Sequence, residues 1–166
     1  MLSFKNFTAL HKDKHKDGTF SALEMEIAES QKIYANLLGI ISDKEKLVPF
    51  EEYHCTLTYC RQPCLGLMYE NPPLPLTASV EKYQILGEGM LVLVLNAPAI
   101  SKIHKELCSK YDIKWDFPSY IPHVSIANNW KGDVPKKLPV SDITFTSYVV
   151  KPLEKDRIDE SLISGA

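Results

Sequence analysis

Tyr53-His54-Cys55-Thr56-Leu57-Thr58-Tyr59 is the stretch on which the reading of this chain turns. Aromatic, β-branched and apolar residues fill it, and its polarity alternates, as in a half-buried strand. Alternation predicts His54, Thr56 and Thr58 on one face, with Tyr53, Cys55, Leu57 and Tyr59 on the other. A second stretch, Ile121-Pro122-His123-Val124-Ser125-Ile126-Ala127, has the same form, and its histidine follows the first by 69 residues. Each is a strand carrying His-x-hydroxyl-apolar. On a strand, an imidazole and a hydroxyl two residues later share a face with β-carbons roughly 7 Å apart. Two such strands facing one another would aim two imidazoles and two hydroxyls at a single small group.

What surrounds the two stretches repeats as well. Phe20–Ile27 reads as a strand and 29–40 as a helix, with Ile33, Leu37, Leu38 and Ile41 near a 3.6 period and Gly39 near its end. In the second half, 90–95 reads as a strand. Residues 98–111 read as a helix, with Pro98 in its first turn and Ile100, Ile103, Leu107 and Tyr111 on one stripe. The strand starts Phe20 and Met90 lie 70 residues apart. Between the halves, Pro63–Pro75 holds four prolines and reads as a loop. Leu76–Leu86 is expected to pair with 90–95 across Gly87-Glu88-Gly89, and Ile143–Val150 to form a last strand. The expected fold is α+β: two pseudo-symmetric strand-helix-strand halves, antiparallel sheets lining a central cleft, and helices outside. The expected layout is a polar leader or loop over 1–18, one bilobal domain over 19–156 and a tail over 157–166.

Of the 166 residues, 45% are hydrophobic and 24% charged, ordinary values for a folded domain. No apolar run nears the roughly 18 residues that span a bilayer, and the N-terminus lacks a signal-peptide pattern, so no membrane partner is expected. A net charge of −2 argues against duplex nucleic acid but leaves room for a small anion, which needs only a few local donors. Cys55, Cys60, Cys64 and Cys108 fit free thiols of a reducing cytoplasm, because Cys60-Arg-Gln-Pro-Cys64 has no second pair at zinc-finger spacing. His11 and His15 sit in a lysine-rich segment that reads as solvated, and His104 lies on a helix of mixed polarity. No metal and no cofactor are expected, and a monomer is.

The paired stretches suit phosphodiester cleavage. One imidazole takes the proton of the attacking oxygen and the other protonates the leaving oxygen, both near the unperturbed pKa of about 6.5. The hydroxyls donate to the non-bridging oxygens, where charge builds up. Which histidine is base and which acid stays open at this point. Tyr120, just before the second motif, and Trp130, just after it, are candidates for stacking on a base, with Trp115 and Phe117 as competitors. Arg61 follows the first motif and could meet phosphate, while Tyr53 and Tyr59 are assigned to the core by alternation.

His54-Cys55-Thr56-Leu57 and His123-Val124-Ser125-Ile126 resemble the twin signature of the 2H phosphoesterase superfamily, over roughly residues 19 to 154. The resemblance implies a bilobal fold, metal-independent chemistry, His54 and His123 as the catalytic pair, and Thr56 and Ser125 as phosphate-binding hydroxyls. Within the superfamily, the compact length and motif separation look most similar to the phage anti-CBASS phosphodiesterases. Their substrates would make the partner a small cyclic di- or trinucleotide, met in the host cytoplasm. The stretch Tyr148-Val149-Val150-Lys151-Pro152-Leu153-Glu154 resembles the final strand of that branch, which marks Lys151 and Glu154 as nucleotide-binding candidates. The resemblance to that branch implies an acidic residue near Lys151, where this chain has Lys. It also implies an N-terminal base-stacking tyrosine, for which Phe20 is the nearest aromatic here. Two further activities fit the residues: an RNA 2',3'-cyclic phosphate or 2',5'-oligoadenylate phosphodiesterase, and a non-catalytic nucleotide sponge.

Overall fold

The structure is a computed structural model and describes residues 14–153. Six strands and two helices follow in the order β1 (Thr19–Met25), α1 (Ile27–Leu38), β2 (Cys55–Cys60), β3 (Leu76–Leu86), β4 (Met90–Asn96), α2 (Pro98–Lys110), β5 (His123–Ala127) and β6 (Asp142–Pro152). Short 3-10 turns occupy Lys44–Lys46, Phe50–Glu52 and Leu65–Tyr69. The strands form one antiparallel sheet in the order β2-β1-β6-β3-β4-β5. The two halves expected from the sequence are its two ends. One is β2-β1-β6, the other β3-β4-β5. They are joined into a continuous sheet where β6 pairs with β3, from Leu76↔Phe145 to Ser79↔Asp142.

The main core lies between one face of this sheet and the helices. Leu23, Cys55, Leu91, Leu93, Val124, Ile143 and Phe145 from the strands meet Ile33 and Leu37 of α1 and Ile100, Ile103 and Leu107 of α2. Completely burying one such side chain is worth about 1.5–3 kcal/mol. β4 reads MLVLVLN and is buried on both faces, which explains its unbroken apolar run. Its Leu91, Leu93 and Leu95 point into the main core, whereas Met90, Val92 and Val94 join Leu86 in a second cluster with Ile121 against it. Register places this second cluster on the face of His123 and Ser125, since Val94 pairs with His123 and Val92 with Ser125.

The edge strands β2 and β5 lie at opposite ends of the hydrogen-bonded order, yet they come together. Tyr120 Oη, just before β5, donates to Thr56 O of β2 at 2.7 Å. Cys55 Sγ lies 3.8 Å from Tyr120 Oη and bonds to the backbone of His123. The sheet therefore curls, and the two motif strands come side by side.

Both motif strands carry a β-bulge at the same place. Ser21 pairs with Thr58 and Ala22 with Thr56, so Leu57 is the extra residue; Leu91 pairs with Ala127 and Val92 with Ser125, so Ile126 is. The apolar residue that closes each His-x-hydroxyl motif is the bulged one. Each bulge carbonyl is taken up from outside the strand pair. His104 Nδ1–H donates to Leu57 O at 2.6 Å, and Val48 N–H donates to Ile126 O at 2.9 Å. These bonds satisfy polar groups that an edge strand would otherwise leave open.

The bulge corrects two sequence expectations. Beyond Leu57 the alternation inverts, so Thr58 turns to the side away from His54, where its hydroxyl shares a buried 2.6 Å hydrogen bond with Ser21. Tyr59 turns to the His54 side, not to the core. Tyr53 is in the core as expected, 2% exposed. At the N-terminal end, residues 14–18 fold against the body. Gly18 has φ +127°, and the Cys60 carbonyl oxygen stands where a β-carbon would have to go, so only glycine fits. Leu153 N–H then donates to Gly18 O. His15, read from sequence as solvated, is buried with Nδ1 2.8 Å from Thr19 Oγ1. His11, Glu154 and the tail from 157 lie outside the described residues.

Candidate active site

His54 stands one residue before β2 and His123 opens β5. The two imidazoles are held by the same device. His54 Nδ1–H donates to Glu52 O at 2.7 Å, and His123 Nδ1–H donates to Ile121 O at 2.6 Å. In each case the acceptor is the carbonyl two residues earlier. A carbonyl can only accept, so each contact puts a proton on Nδ1 and makes Nε2 the nitrogen whose protonation changes. Thr56 and Ser125 follow on the same faces, opposite Ala22 and Val92 of their partner strands. All four side chains are half-buried, neither sealed in the core nor loose in solvent.

The two ends of the cleft are chemically unlike. On the His54 side, register puts Phe20, Ala22 and Glu24 of β1 beside Lys151, Val149 and Ser147 of β6. Lys151 Nζ lies 3.7 Å from Glu24 Oε2, and the Phe20 ring is 5.9 Å from the His54 ring. On the His123 side the matching positions are Met90, Val92 and Val94, all aliphatic. Burial pulls the His54 pKa below the ordinary imidazole value. The hydrogen bond to Glu52 O opposes this, the Lys151 ammonium adds to it, and the Glu24 and Glu52 carboxylates oppose it. On balance these groups favour the neutral form of the His54 imidazole.

The remaining sequence candidates fall into different places. Phe20 and Lys151 are on the cleft face beside His54. Tyr120 is a brace: its ring stacks on His104 at 3.8 Å and 8°, its hydroxyl holds Thr56 O, and burial pushes its pKa well up. Trp130 packs half-buried against the main core, with its backbone N–H on Gly89 O, its Nε1–H on Asp133 O and Lys46 over its ring. Neither belongs to the cleft surface as a stacking ring. Arg61 is engaged by Asp116, Nε to Oδ2 at 2.9 Å.

His104 is the residue that sequence reasoning passed over, although its spacing four residues before Cys108 put both on the core side of α2. It is 8% exposed, and burial lowers its pKa. Cys55, Cys60, Cys64 and Cys108 are free thiols, and burial pushes Cys55 and Cys64 up to about 11, so neither is a ready thiolate. Among the described residues no three His, Cys, Asp or Glu side chains gather to hold a metal ion, and no helix is long and apolar enough to cross a membrane.

Comparison with known proteins agrees with this geometry. The family model for anti-CBASS protein Acb1 matches residues 20–160. The anti-CBASS protein Acb1 of Acinetobacter phage Ac42 is 29% identical over 112 residues, 66% of this chain and 72% of that one. Among solved structures, E. coli LigT complexed with 3'-AMP superposes with a TM-score of 0.61 at 14% identity, covering 81% of this chain and 86% of that one. A protein described as a phosphoesterase gives 0.63 at 12% identity, covering 81% and 87%. TT0787 of Thermus thermophilus gives 0.54 at 13% identity, covering 81% and 84%. The fold is that of the LigT-like 2H phosphoesterases.

Proposed function

The chain belongs to the anti-CBASS protein Acb1 family, within the 2H phosphoesterase superfamily, and we propose that it is a metal-independent phosphodiesterase that cleaves cyclic di- or trinucleotide signals in the host cytoplasm to counter CBASS defence. The observation that carries this reading is the matched pair of Nδ1–H to carbonyl bonds, 2.7 and 2.6 Å, on two bulged strands stitched across one cleft. The pair supports this reading because it leaves Nε2 of each imidazole as the nitrogen that exchanges a proton.

His54, held neutral by burial and Lys151, is the general base. Its Nε2 takes the proton of the ribose 2'-hydroxyl next to the scissile phosphate. The O2'–P bond forms as the P–O5' bond breaks. His123 Nε2–H, protonated at the start, gives its proton to the departing O5'. The products are a 2',3'-cyclic phosphate and a 5'-hydroxyl, and each imidazole ends in the other's starting state. Water then opens the ring with the roles reversed. Intramolecular attack has a large effective molarity that a bound water lacks. Thr56 and Ser125 donate to the non-bridging oxygens, where charge rises in the transition state.

His54→Ala and His123→Ala test the assignment. With cyclic di-AMP in excess over protein, each variant should lose about 10²–10⁴-fold or more in turnover while keeping its fold. A correctly folded variant with a near-normal rate would remove the two-histidine mechanism. If the wild-type protein only captures one equivalent without turnover, it is a sponge and no enzyme.

A further inference from the structure

A row of aromatic rings leads away from His54. Phe20 contacts His54 at 5.9 Å and Tyr59 at 6.0 Å; Tyr59 and Trp115 are nearly parallel, 15° apart with centroids at 6.0 Å; Trp115 meets Phe117 edge-on at 5.3 Å. Tyr59 joins this row only because the Leu57 bulge inverts the alternation of β2. Ordinary packing does not account for the row. Phe20, Tyr59, Trp115 and Phe117 belong to neither apolar cluster of the described residues and are not packed against one, whereas Tyr120 and Trp130 are packed against the main core. All four rings remain half-exposed.

The row is also supported from behind. Trp115 stands edge-on to the stacked His104 and Tyr120 rings, at 4.7 and 5.6 Å. Its Nε1–H donates to Ser119 O, and the Arg61–Asp116 ion pair ties its loop to the residue after β2. Half-exposed, braced aromatic rings next to a phosphate-directed imidazole are what a nucleobase stacks on.

We propose that Tyr59 and Trp115, continued by Phe117 and linked to His54 through Phe20, form the seat of one nucleobase: that of the nucleoside whose 2'-hydroxyl faces His54. This rests on the phosphodiesterase reading only for which nucleoside is meant. Because the seat offers ring faces and no charged reader, it selects for the presence of a base more than for its identity.

The test compares adenosine 3'-monophosphate, which carries its base on the His54 side, with inorganic phosphate, which has none. Binding is measured by calorimetry for wild type, Trp115→Leu and Trp115→Phe. The chain has two tryptophans, so Trp130→Phe leaves Trp115 as the sole tryptophan. The expected result is that Trp115→Leu loses about 5- to 150-fold in affinity for the nucleotide but none for phosphate, that Trp115→Phe recovers most of the loss, and that the nucleotide quenches Trp115 emission. Unchanged nucleotide affinity in Trp115→Leu, equal losses for both ligands, or saturation without quenching would each overturn the seat. Cyclic di-AMP turnover separates the two claims. Turnover with any of those results removes only the seat, and base-dependent binding without turnover removes only the enzyme.

Discussion

Replacing His104 by Ala should destabilise the protein and slow the enzyme together, although His104 is remote from the proton transfers. Its Nδ1–H is the donor for the buried carbonyl of the bulge residue Leu57, at 2.6 Å, and its ring stacks on Tyr120 at 3.8 Å. Leaving that carbonyl unsatisfied costs about 1–3 kcal/mol. Losing the ring stack costs about 0.5–1.5 kcal/mol more. The expected total is about 1.5–4.5 kcal/mol, or about 3–18 °C in Tm for a domain of this size. Tyr120 then holds Thr56 O less firmly, and if the strand proposed to bind phosphate drifts by an ångström, the rate is expected to fall by up to about 100-fold. Urea denaturation and cyclic di-AMP turnover read the two effects. His104→Phe keeps the stack and loses the donor, so it should recover only the smaller part of the stability. A His104→Ala variant within about 1 kcal/mol of wild type would refute the claim that this bond supports the bulge.

Three further outcomes are expected. Thr56→Ala and Ser125→Ala should each lower turnover by about 10–10³-fold without changing the pH profile, since under the proposed mechanism each removes a donor to the phosphate and no titrating group. Lys151→Met should raise the His54 pKa, because the ammonium disfavours the imidazolium, and so move the acid limb of the rate profile to higher pH. Glu24→Gln should move that limb the other way, and NMR titration of the His54 ring checks both. Stability should also depend on pH. Burial depresses His54 and His104 in the folded state, so the unfolded chain binds protons first. Stability is full above the ordinary imidazole value of about 6.5 and falls as pH drops through it; a flat urea midpoint between about pH 7.5 and 5.5 would contradict this.

Much of the architecture was legible because it is written in local periods. Leu76–Leu86 and the hairpin at Gly87–Gly89 match residue for residue, and α2 begins at Pro98 as its first-turn proline implies. The helix expected over 29–40 starts two residues earlier, at Ile27, and ends at Leu38. His54 and Thr56 share one face of the first motif strand, and His123 and Ser125 one face of the second, because that spacing is a property of single strands. What escaped the sequence depends on partners. A bulge is a mismatch between two strands, and nothing within Leu57-Thr58-Tyr59 announces it, so Tyr59 was assigned to the wrong face. His104 and Tyr120 acquire their roles only when α2 and the loop before β5 reach the outer edge of β2, a contact across 47 and 64 residues. Trp130 is near His123 in sequence, but the turn after β5 carries it to the β3–β4 hairpin instead.

The most direct test of the account is the fate of cyclic di-AMP and its 2'-deoxy counterpart, each in large excess over wild-type protein, with the products separated by chromatography. The account predicts many turnovers of the ribose compound, a first product bearing a 2',3'-cyclic phosphate, and binding without cleavage of the deoxy compound. Cleavage of both at comparable rates would contradict attack by the 2'-hydroxyl through His54, and no cleavage of the ribose compound would contradict its assignment as a substrate.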